Sequence, residues 1–311
     1  ENMLLFQYII ASCLIIFFVG IKDDILDITP FKKFLGQLFA AAILVFKGGL
    51  IINDMHGLFG LHILAEPVSY CLTIFTIVVI TNAFNLIDGV DGLAGSLGAL
   101  VCFSFGTYFA INGDQQFAVL AFTMGGALSA FLIFNFYPAK IFMGDTGSLM
   151  IGLIASVLVI HFIHYAPTAP VLSFHAAPVV GFAVLFIPLF DTLRVFGIRI
   201  MQGISPFSPD RNHIHHILQD KGLSHRMVSL TLLFANIVMI IMGCLGSFLN
   251  IHFLLGGLLL LGFGTVGLLI MANNKSKLRS ISLQHKTGTQ AEAKKVHMVP
   301  TISTKAAANN K

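Results

Sequence analysis

Charged residues are scarce in this sequence: Asp, Glu, Lys and Arg together make up 10% of its 311 residues, whereas 56% are hydrophobic. A soluble domain carries about 25% charged residues. The shortage excludes an ordinary globular domain with a single buried core, and it predicts a polytopic membrane protein. Membrane lipid is therefore an expected partner, and nucleic acid is not.

Cysteine pairs and a leader segment are also lacking. The four cysteines lie singly in apolar runs without a CxxC pair, so they indicate no metal site and leave the redox compartment open. No charged segment followed by a short apolar core and a small-residue cleavage site is present, so we predict no signal peptide. The sequence begins with Glu1 rather than Met, and we expect it to be a fragment that lacks N-terminal residues.

Long apolar runs are abundant. A membrane span needs ~20 mainly apolar residues, and backbone groups in lipid must be satisfied within the segment, which favours helices. We find nine runs, at residues 3–21, 34–51, 67–86, 93–111, 116–134, 148–165, 176–198, 227–249 and 251–272. The predicted fold is an all-α polytopic integral membrane protein, with nine transmembrane helices in a domain over residues 1–272. The basic polar tail over 273–311 has little to bury, and we expect it to be disordered.

The positions of Lys and Arg predict the orientation. If the loop at 22–33 is cytoplasmic, then the loops at 87–92, 135–147 and 199–226 and the tail are cytoplasmic too. All but Lys47 of the 18 Lys and Arg residues then lie on or near that side. We therefore expect a multi-pass protein of the inner (plasma) membrane, with its polar loops facing the cytoplasm.

Two acidic stretches lie at the cytoplasmic ends of predicted helices. In KDDILD, at 22–27, adjacent carboxylates repel each other and are ligands that suit Mg²⁺ or Mn²⁺; a solvated charged loop is the alternative. In NAFNLIDGVDGLAG, at 82–95, Asn85, Asp88 and Asp91 are spaced three apart and would share one helix face. A helix cap needs one such residue, so the pairing of two acids with two amides favours a functional site.

Two further stretches belong to the same face. In FMGDTGS, at 142–148, Asp145 could cap the next helix, or the backbone N–H groups could bind an anion. In SPFSPDRNHIHH, at 205–216, three imidazoles could bind a metal or a phosphate, with Arg211 as a phosphate clamp. Zinc is a competing interpretation, although no cysteine lies nearby. Separately, Asp191 and Arg194 are spaced for an internal ion pair.

Taken together, the four stretches predict one site. Acids for a divalent metal beside bases for phosphate indicate a diphosphate-linked substrate, and the membrane location indicates a lipid co-substrate. The cytoplasmic carboxylates are Asp23, Asp24, Asp27, Asp88, Asp91, Asp145 and Asp210. A transporter or lipid flippase is the alternative function, but its acids would be expected near the bilayer midplane beside broken helices. A scaffold would not explain the acids and histidines.

In KDDILDITPFKKFLGQ, NAFNLIDGVDGLAG, FMGDTGSLMIG and SPFSPDRNHIHHIL, the chain resembles the polyprenyl-phosphate N-acetylhexosamine-1-phosphate transferases. The resemblance extends to about residue 272 and is closest to the branch that makes undecaprenyl-diphospho-N-acetylglucosamine. It implies an enzyme that uses Mg²⁺, with Mn²⁺ as the alternative. This enzyme would transfer a HexNAc-1-phosphate, by default GlcNAc-1-phosphate, from a UDP-sugar to undecaprenyl phosphate and release UMP. Such a reaction is the first membrane step of cell-envelope polysaccharide synthesis, as for lipopolysaccharide.

The resemblance also implies roles for individual residues. The proposed metal ligands are Asp145, Asp24 and Asp88. The proposed catalytic residues are Asp23, Asp24, Asp88, Asp91, His213, His215 and His216, with Asp23 and Asp24 as base or as groups that orient the lipid phosphate. The proposed substrate-binding residues are Lys33, Asn82, Asn85, Gly89, Val90, Phe142 and Arg211. Phe142 would stack on uracil in a pocket lined by residues 89–91, and Lys33 would contact the phosphates.

One departure from the family is expected. Its members usually have eleven transmembrane helices, and the two that precede the first run are absent here. The sequence does not decide between direct attack by the lipid phosphate and a covalent phospho-enzyme, and we favour direct attack because a phosphate oxyanion needs little activation. The donor sugar, the downstream polymer and a homodimer are left open.

Overall fold

The computed structural model describes residues 2–203 and 212–271. These residues are almost entirely helical. The helices are α1 (Asn2–Leu26), α2 (Pro30–Phe46), α3 (Glu66–Ile87), α4 (Leu93–Ile111), α5 (Gln115–Asn135), α6 (Gly144–Tyr165), α7 (Ala177–Val184), α8 (Phe186–Met201), α9 (Ile214–Asp220), α10 (His225–Leu245) and α11 (Ile251–Met271). The chain forms two compact units, Glu1–Phe263 and Gly264–Lys311. Of the second unit, the described part is the end of α11, and the predicted disordered tail lies outside the described residues.

The described residues contain fewer candidate membrane spans than the nine predicted. Among the described residues, seven helices are long and apolar enough to cross a membrane, or eight spans if the bent pair α7 and α8 counts as one. The second predicted run is the 17-residue helix α2, which rises only about 25 Å and ends before Lys47. The seventh run is broken at Leu185, where α7 and α8 meet at 90°. A polytopic all-helical membrane protein is confirmed.

Helix α6 lies at the centre of the first unit, and most of its residues from Ser148 to Ile163 are buried. Two glycines let neighbouring helices approach it closely. A Cβ atom on Gly20 of α1 would lie 2.4 Å from Cα of Thr146, and one on Gly152 of α6 would lie 2.5 Å from Cα of Thr81 in α3. Small residues at helix contacts allow backbones to meet in this way. As a result, the ends of α1 and α3 lie beside the start of α6.

The turn between α3 and α4 differs from the prediction. The spacing of Asn85, Asp88 and Asp91 predicted a shared helix face, but α3 ends at Ile87 and α4 begins at Leu93. Gly92 interrupts the helix because its φ of 75° is a left-handed conformation that favours glycine. Its N–H donates to Oδ1 of Asn135 at 3.0 Å. Both aspartates therefore lie in a turn at one end of the bundle.

Candidate active site

Lys33 lies at the centre of a polar cluster formed by α1, α2, α3 and α6. Its ammonium group is 3.0 Å from Oδ2 of Asp23 and 2.5 Å from Oδ2 of Asp145. It also donates to Oδ1 of Asn85 at 3.0 Å. Because only 14% of the Lys33 side chain is exposed, these contacts are little screened by water. The predicted stretches at 22–27, 82–95 and 142–148 therefore meet at this lysine.

Asn85 connects α3 to the first turn of α6. Its Nδ2 donates to Oδ1 of Asp145 at 2.6 Å and to Oγ of Ser148 at 3.0 Å, while its Oδ1 accepts from Lys33. Both carboxylate oxygens of Asp145 thus have a partner, and the amide can adopt only one orientation. One turn earlier, Asn82 exchanges two hydrogen bonds with the buried Gln37 of α2, at 2.6 and 3.3 Å.

Asp24 lies at the N-terminus of α6. Its carboxylate accepts from the N–H groups of Asp145 at 2.7 Å and Thr146 at 3.1 Å, and from the Thr146 hydroxyl at 2.6 Å. A negative charge at this position satisfies unpaired backbone donors and stabilises the helix dipole. Gly144, with φ 64°, leaves room for it, since a Cβ there would lie 2.9 Å from the carboxylate oxygens. In this geometry Asp24 positions the backbone of Asp145.

The surroundings of Asp88 carry an excess of negative charge. Burial, together with the charges of Asp145, Asp24 and Asp91, raises the pKa of the Asp88 carboxyl to about 7. The four carboxylates repel one another, and Lys33 contacts only one of them, Asp145. A bound cation would relieve the repulsion and lower the pKa of Asp88 again.

The donor set fits a hard divalent cation by its chemistry. Carboxylate and amide oxygens are the ligands that Mg²⁺ prefers, and the cluster supplies both. Within residues 2–203 and 212–271, however, no three His, Cys, Asp or Glu side chains are grouped as a ready-made metal site. The metal ligands predicted at Asp24, Asp88 and Asp145 therefore remain a prediction.

Asp91 faces the segment that leads into α6. Its Oδ2 accepts from the N–H of Ala139 at 3.4 Å, and its Oδ1 lies 3.4 Å from Nδ1 of His225 in α10. Phe142, on the same segment, exposes 81% of its surface, whereas Val90 is buried. An exposed aromatic ring is free to stack on a planar ligand.

The histidine helix α9 approaches the cluster from α8. Nδ1 of His213 is 2.9 Å from Oδ2 of Asp191, and Nδ1 of His216 is 3.2 Å from Oε1 of Gln219. His215 lies against Gly89, where a Cβ would come within 3.0 Å of its Nε2. Burial, together with the nearby charges of His216 and His213, lowers the pKa of His215 to about 4. Arg211 and the rest of 204–211 lie outside the described residues.

His215 has one unsatisfied nitrogen within the described part of the chain. Its side chain is 2% exposed, and Nδ1 has no hydrogen-bond partner among these residues. A buried polar atom without a hydrogen-bond partner destabilises the folded protein unless a ligand or a water molecule supplies that partner. The position of His215 beside Gly89 therefore supports a polar ligand near the turn at 88–92, called the acidic turn below because it holds Asp88 and Asp91.

Three contacts were missed by sequence reasoning. The predicted ion pair of Asp191 and Arg194 is confirmed at 3.0 Å, but Asp191 also binds His213. Gln37 and His225 were not considered as neighbours of the site. A carboxylate inside an apolar helix is costly in a membrane, and this cost was the available signal for Asp191.

The sequence is similar to a protein family and to several known proteins. Residues 6–163 match the model of glycosyl transferase family 4. The chain is 36% identical over 228 residues to a decaprenyl-phosphate N-acetylglucosaminephosphotransferase of Mycobacterium leprae, covering 68% of this chain and 57% of the relative. It is 35% identical over 224 residues to a probable undecaprenyl-phosphate N-acetylglucosaminyl 1-phosphate transferase of Bacillus subtilis, covering 70% and 60%.

A third relative shows the same pattern. An undecaprenyl-phosphate alpha-N-acetylglucosaminyl 1-phosphate transferase of Escherichia coli is 29% identical over 247 residues, covering 77% of this chain and 65% of the relative. The chain thus spans between 57% and 65% of the length of these three curated relatives.

Proposed function

This chain belongs to glycosyl transferase family 4, and from this premise we propose that it transfers a HexNAc-1-phosphate from a UDP-sugar to polyprenyl phosphate and releases UMP. The observation that carries the proposal is the convergence of Asp23, Asn85 and Asp145 on Lys33 at one end of the bundle. A diphosphate substrate needs cations and hydrogen-bond donors around its oxygens, and a membrane-embedded cluster gives access to a lipid.

The proposed reaction is a substitution at phosphorus. An oxygen of the polyprenyl phosphate forms a new bond to the sugar-linked phosphorus of the UDP-sugar, while the bond from that phosphorus to the oxygen of UMP breaks. The sugar keeps its bond to oxygen throughout. Direct attack remains our preference, because a phosphate oxyanion is already nucleophilic.

The residues around Lys33 support separate parts of this reaction. Lys33 would pair with substrate phosphate, with Asp23 orienting its ammonium. Asp24 would hold the backbone of Asp145 in place, and Asp88, whose pKa is about 7 without a bound cation, would lose its proton when the cation binds. Mg²⁺, held by Asp145, Asp24 and Asp88, would when bound neutralise the charge of the diphosphate and of departing UMP.

The nucleotide is proposed to bind beside the turn at 88–92. Phe142 would stack on uracil, with Gly89, Val90 and Asp91 lining the pocket and Asn82 supporting Asn85 from the preceding turn. The histidines of α9, with Arg211, would contact phosphate or move a proton. In the names of the relatives the sugar is N-acetylglucosamine, and UDP-GlcNAc is the proposed donor.

The proposed site of action is the cytoplasmic face of the plasma membrane, at the first membrane step of envelope polysaccharide synthesis. The Lys and Arg distribution supports this orientation, because the loops at the Lys33 end carry most of the positive charge. Undecaprenyl phosphate is the proposed acceptor.

The test is product formation in membranes that carry the complete gene product. Membranes are incubated with Mg²⁺ and each of several radiolabelled UDP-HexNAc donors, and lipid-linked sugar diphosphate and UMP are measured. Label should enter the lipid with one preferred donor, and EDTA should abolish the product until Mg²⁺ is restored. Absence of product with every donor, or full product in EDTA, would contradict the proposal.

A matched pair of variants assigns the site. Asp145→Asn should remove turnover while expression is maintained, because it replaces the carboxylate that binds Lys33 and Asn85. Asp114→Asn is the control. Asp114 lies at the start of α5 and binds His161 at 2.7 Å, near the end of α6 that is opposite to Asp145. Equal activity of the two variants would remove Asp145 from the proposed site.

A transporter or lipid flippase is the second candidate. The 90° break between α7 and α8 favours it, because broken helices line many transport sites. The acidic cluster, however, lies at helix ends rather than at mid-span. Movement of labelled polyprenyl phosphate across vesicles without a UDP-sugar would support the transporter, whereas label transfer without such movement would exclude it.

A further inference from the structure

Asp191 is a buried carboxylate to which the proposed chemistry assigns no role. It lies in α8 with 2% of its surface exposed. Three donors surround it: Nη2 of Arg194 at 3.0 Å, Nδ1 of His213 at 2.9 Å and the N–H of Ile214 at 3.0 Å. A buried charge is tolerated only when it is paired in this way. The arrangement is more elaborate than an ion pair within one helix.

The carboxylate attaches the start of α9 to α8. The N–H of Ile214 binds Asp191 directly. On the other side of His213, the carbonyl oxygen of Asn212 accepts a hydrogen bond from Arg194, which is itself held by Asp191. Both backbone neighbours of His213 are thus connected to α8, and the position of the imidazole ring follows from them.

The contact also determines which nitrogen of His213 carries a proton. An ionised carboxylate only accepts hydrogen bonds, so Nδ1 of the neighbouring imidazole must donate. In neutral His213 the other nitrogen, Nε2, then has a free lone pair. An imidazole held in one tautomer by a carboxylate is suited to accept a proton during catalysis.

The histidine helix leads from Asp191 towards the acidic turn. The rings of His213 and His215 are nearly parallel, at 9°, with centroids 5.6 Å apart. His215 in turn lies against Gly89, the residue after Asp88. A shift at His213 would therefore move the side of α9 that faces the candidate site.

We propose that Asp191 is a positioning residue of the transferase site: it keeps His213 in the Nδ1–H tautomer and holds the first turn of α9 on α8. This inference rests on the proposed transferase function. Asp191 acts through His213 and touches no substrate. The competing explanation is a structural anchor whose loss affects stability alone.

The chain offers a matched control for this contact. Asp114 and His161 form a second carboxylate–imidazole pair at 2.7 Å, and Asp114 also accepts from a helix-start N–H, that of Phe117, at 3.3 Å. Asp191→Asn and Asp114→Asn therefore remove the same kind of contact, one beside α9 and one at the start of α5. Because an asparagine amide can donate, Asp191→Asn should invert the tautomer of His213.

The experiment combines ¹⁵N NMR of histidine-labelled protein with steady-state kinetics. The His213 signal is assigned by its loss in His213→Gln, and kcat and KM are measured for UDP-HexNAc and polyprenyl phosphate. We expect Nδ1–H His213 in the wild type. In Asp191→Asn we expect an inverted tautomer and a kcat about 10²-fold lower, with KM changed by less than about threefold. Asp191→Glu should retain the tautomer and recover part of kcat, and Asp114→Asn should leave both unchanged.

Several results would overturn the inference. An Nε2–H tautomer of His213 in the wild type would do so without any variant, even if Asp191→Asn does not fold. So would a kcat of Asp191→Asn equal to that of Asp114→Asn, or an inverted tautomer with unchanged kcat. Failure of the transferase proposal is a separate result: the wild type would then form no product with any donor, while its His213 tautomer still tests the contact.

Discussion

At the scale of single residues, Lys33 explains how several carboxylates share a small space. Its ammonium contacts Asp23 and Asp145, and its hydrogen bond to Asn85 fixes the amide that completes the contacts of Asp145. The charge balance of the cluster thus depends on the side chain of Lys33, and none of these contacts neutralises Asp88. The neighbouring Lys32 is exposed and gives a natural control.

Lys33→Met should lower activity strongly and destabilise the protein by about 1–2 kcal/mol. The change leaves two carboxylates without their cation, and partial exposure of Asp145 moderates the cost. Product formation and thermal unfolding in detergent measure the two effects. Lys32→Met should change neither, and a similar loss in both variants would contradict the central position of Lys33.

His215 predicts a pH dependence of stability. Its pKa is lowered to about 4 in the folded protein, below the ordinary value of 6.5. The unfolded chain therefore binds a proton first, and stability should fall as the pH decreases from about 6.5 to about 4, by at most about 3 kcal/mol. Asp88, whose pKa is raised in the folded protein, has the opposite effect, since its protonation stabilises the folded state as the pH decreases.

The measurement is therefore a difference between two proteins. Unfolding temperatures of the wild type and of His215→Gln are compared from pH 7 to pH 4, so that the contribution of Asp88 cancels. The wild type should lose more stability on acidification than the variant. Parallel curves would show that the pKa of His215 does not change on folding.

At the scale of helices, the site depends on close packing around α6. Gly20 and Gly152 bring α1 and α3 against it, and these contacts place Asp24 and Asn85 beside Asp145. The turn at 88–92 and the short helix α9 complete the surroundings. Each side chain is thus positioned by a helix that is held elsewhere along its length.

Gly20→Ala and Gly152→Ala should each cost about 1–3 kcal/mol, because the added methyl group would meet backbone atoms of a neighbouring helix. Activity should fall with stability, since the ends of α1 and α3 would move. Gly197→Ala is the control: a Cβ there meets no atom within 4 Å, and alanine favours a helix. Thermal unfolding is measured for all three variants. An unchanged melting temperature in Gly20→Ala and Gly152→Ala would contradict the close packing of α1 and α3 against α6.

At the scale of the whole molecule, the polar residues divide between two ends. The proposed site lies at one end, while Asp114 and His161 form a separate pair at the other. A protein of this kind can work on a cytoplasmic substrate only if the Lys33 end faces the cytoplasm. The orientation is therefore a prediction on which the function depends.

Single cysteines in a cysteine-free background test it. A cysteine replacing Lys140, exposed near the site, should react with a membrane-impermeant thiol reagent only in inverted vesicles. A cysteine replacing Gln115, exposed at the other end, should react in intact cells. The reverse pattern would place the site outside the cytoplasm and contradict the proposed use of a UDP-sugar.

Much of this protein could be predicted from its sequence. The apolar runs determined an all-helical membrane protein, because lipid requires backbone groups to be satisfied within each segment. The acidic and histidine stretches identified the residues that meet around Lys33 and α9. The break at Leu185 and the shortness of α2 were not predictable, because hydropathy reports composition and not helix continuity.

Only the tertiary structure decided which of these residues touch. Two contacts join segments that are distant in sequence: that of Asp191 with His213, and that of Asp24 with the N-terminus of α6. The turn that holds Asp88 and Asp91 changes the direction in which these two side chains point relative to a continuous helix. Such contacts depend on how helices pack, and packing depends on small residues such as Gly20 and Gly152. The sequence by itself therefore determined the chemistry that is available, and the packing of α1, α3, α8 and α9 determined where that chemistry is brought together.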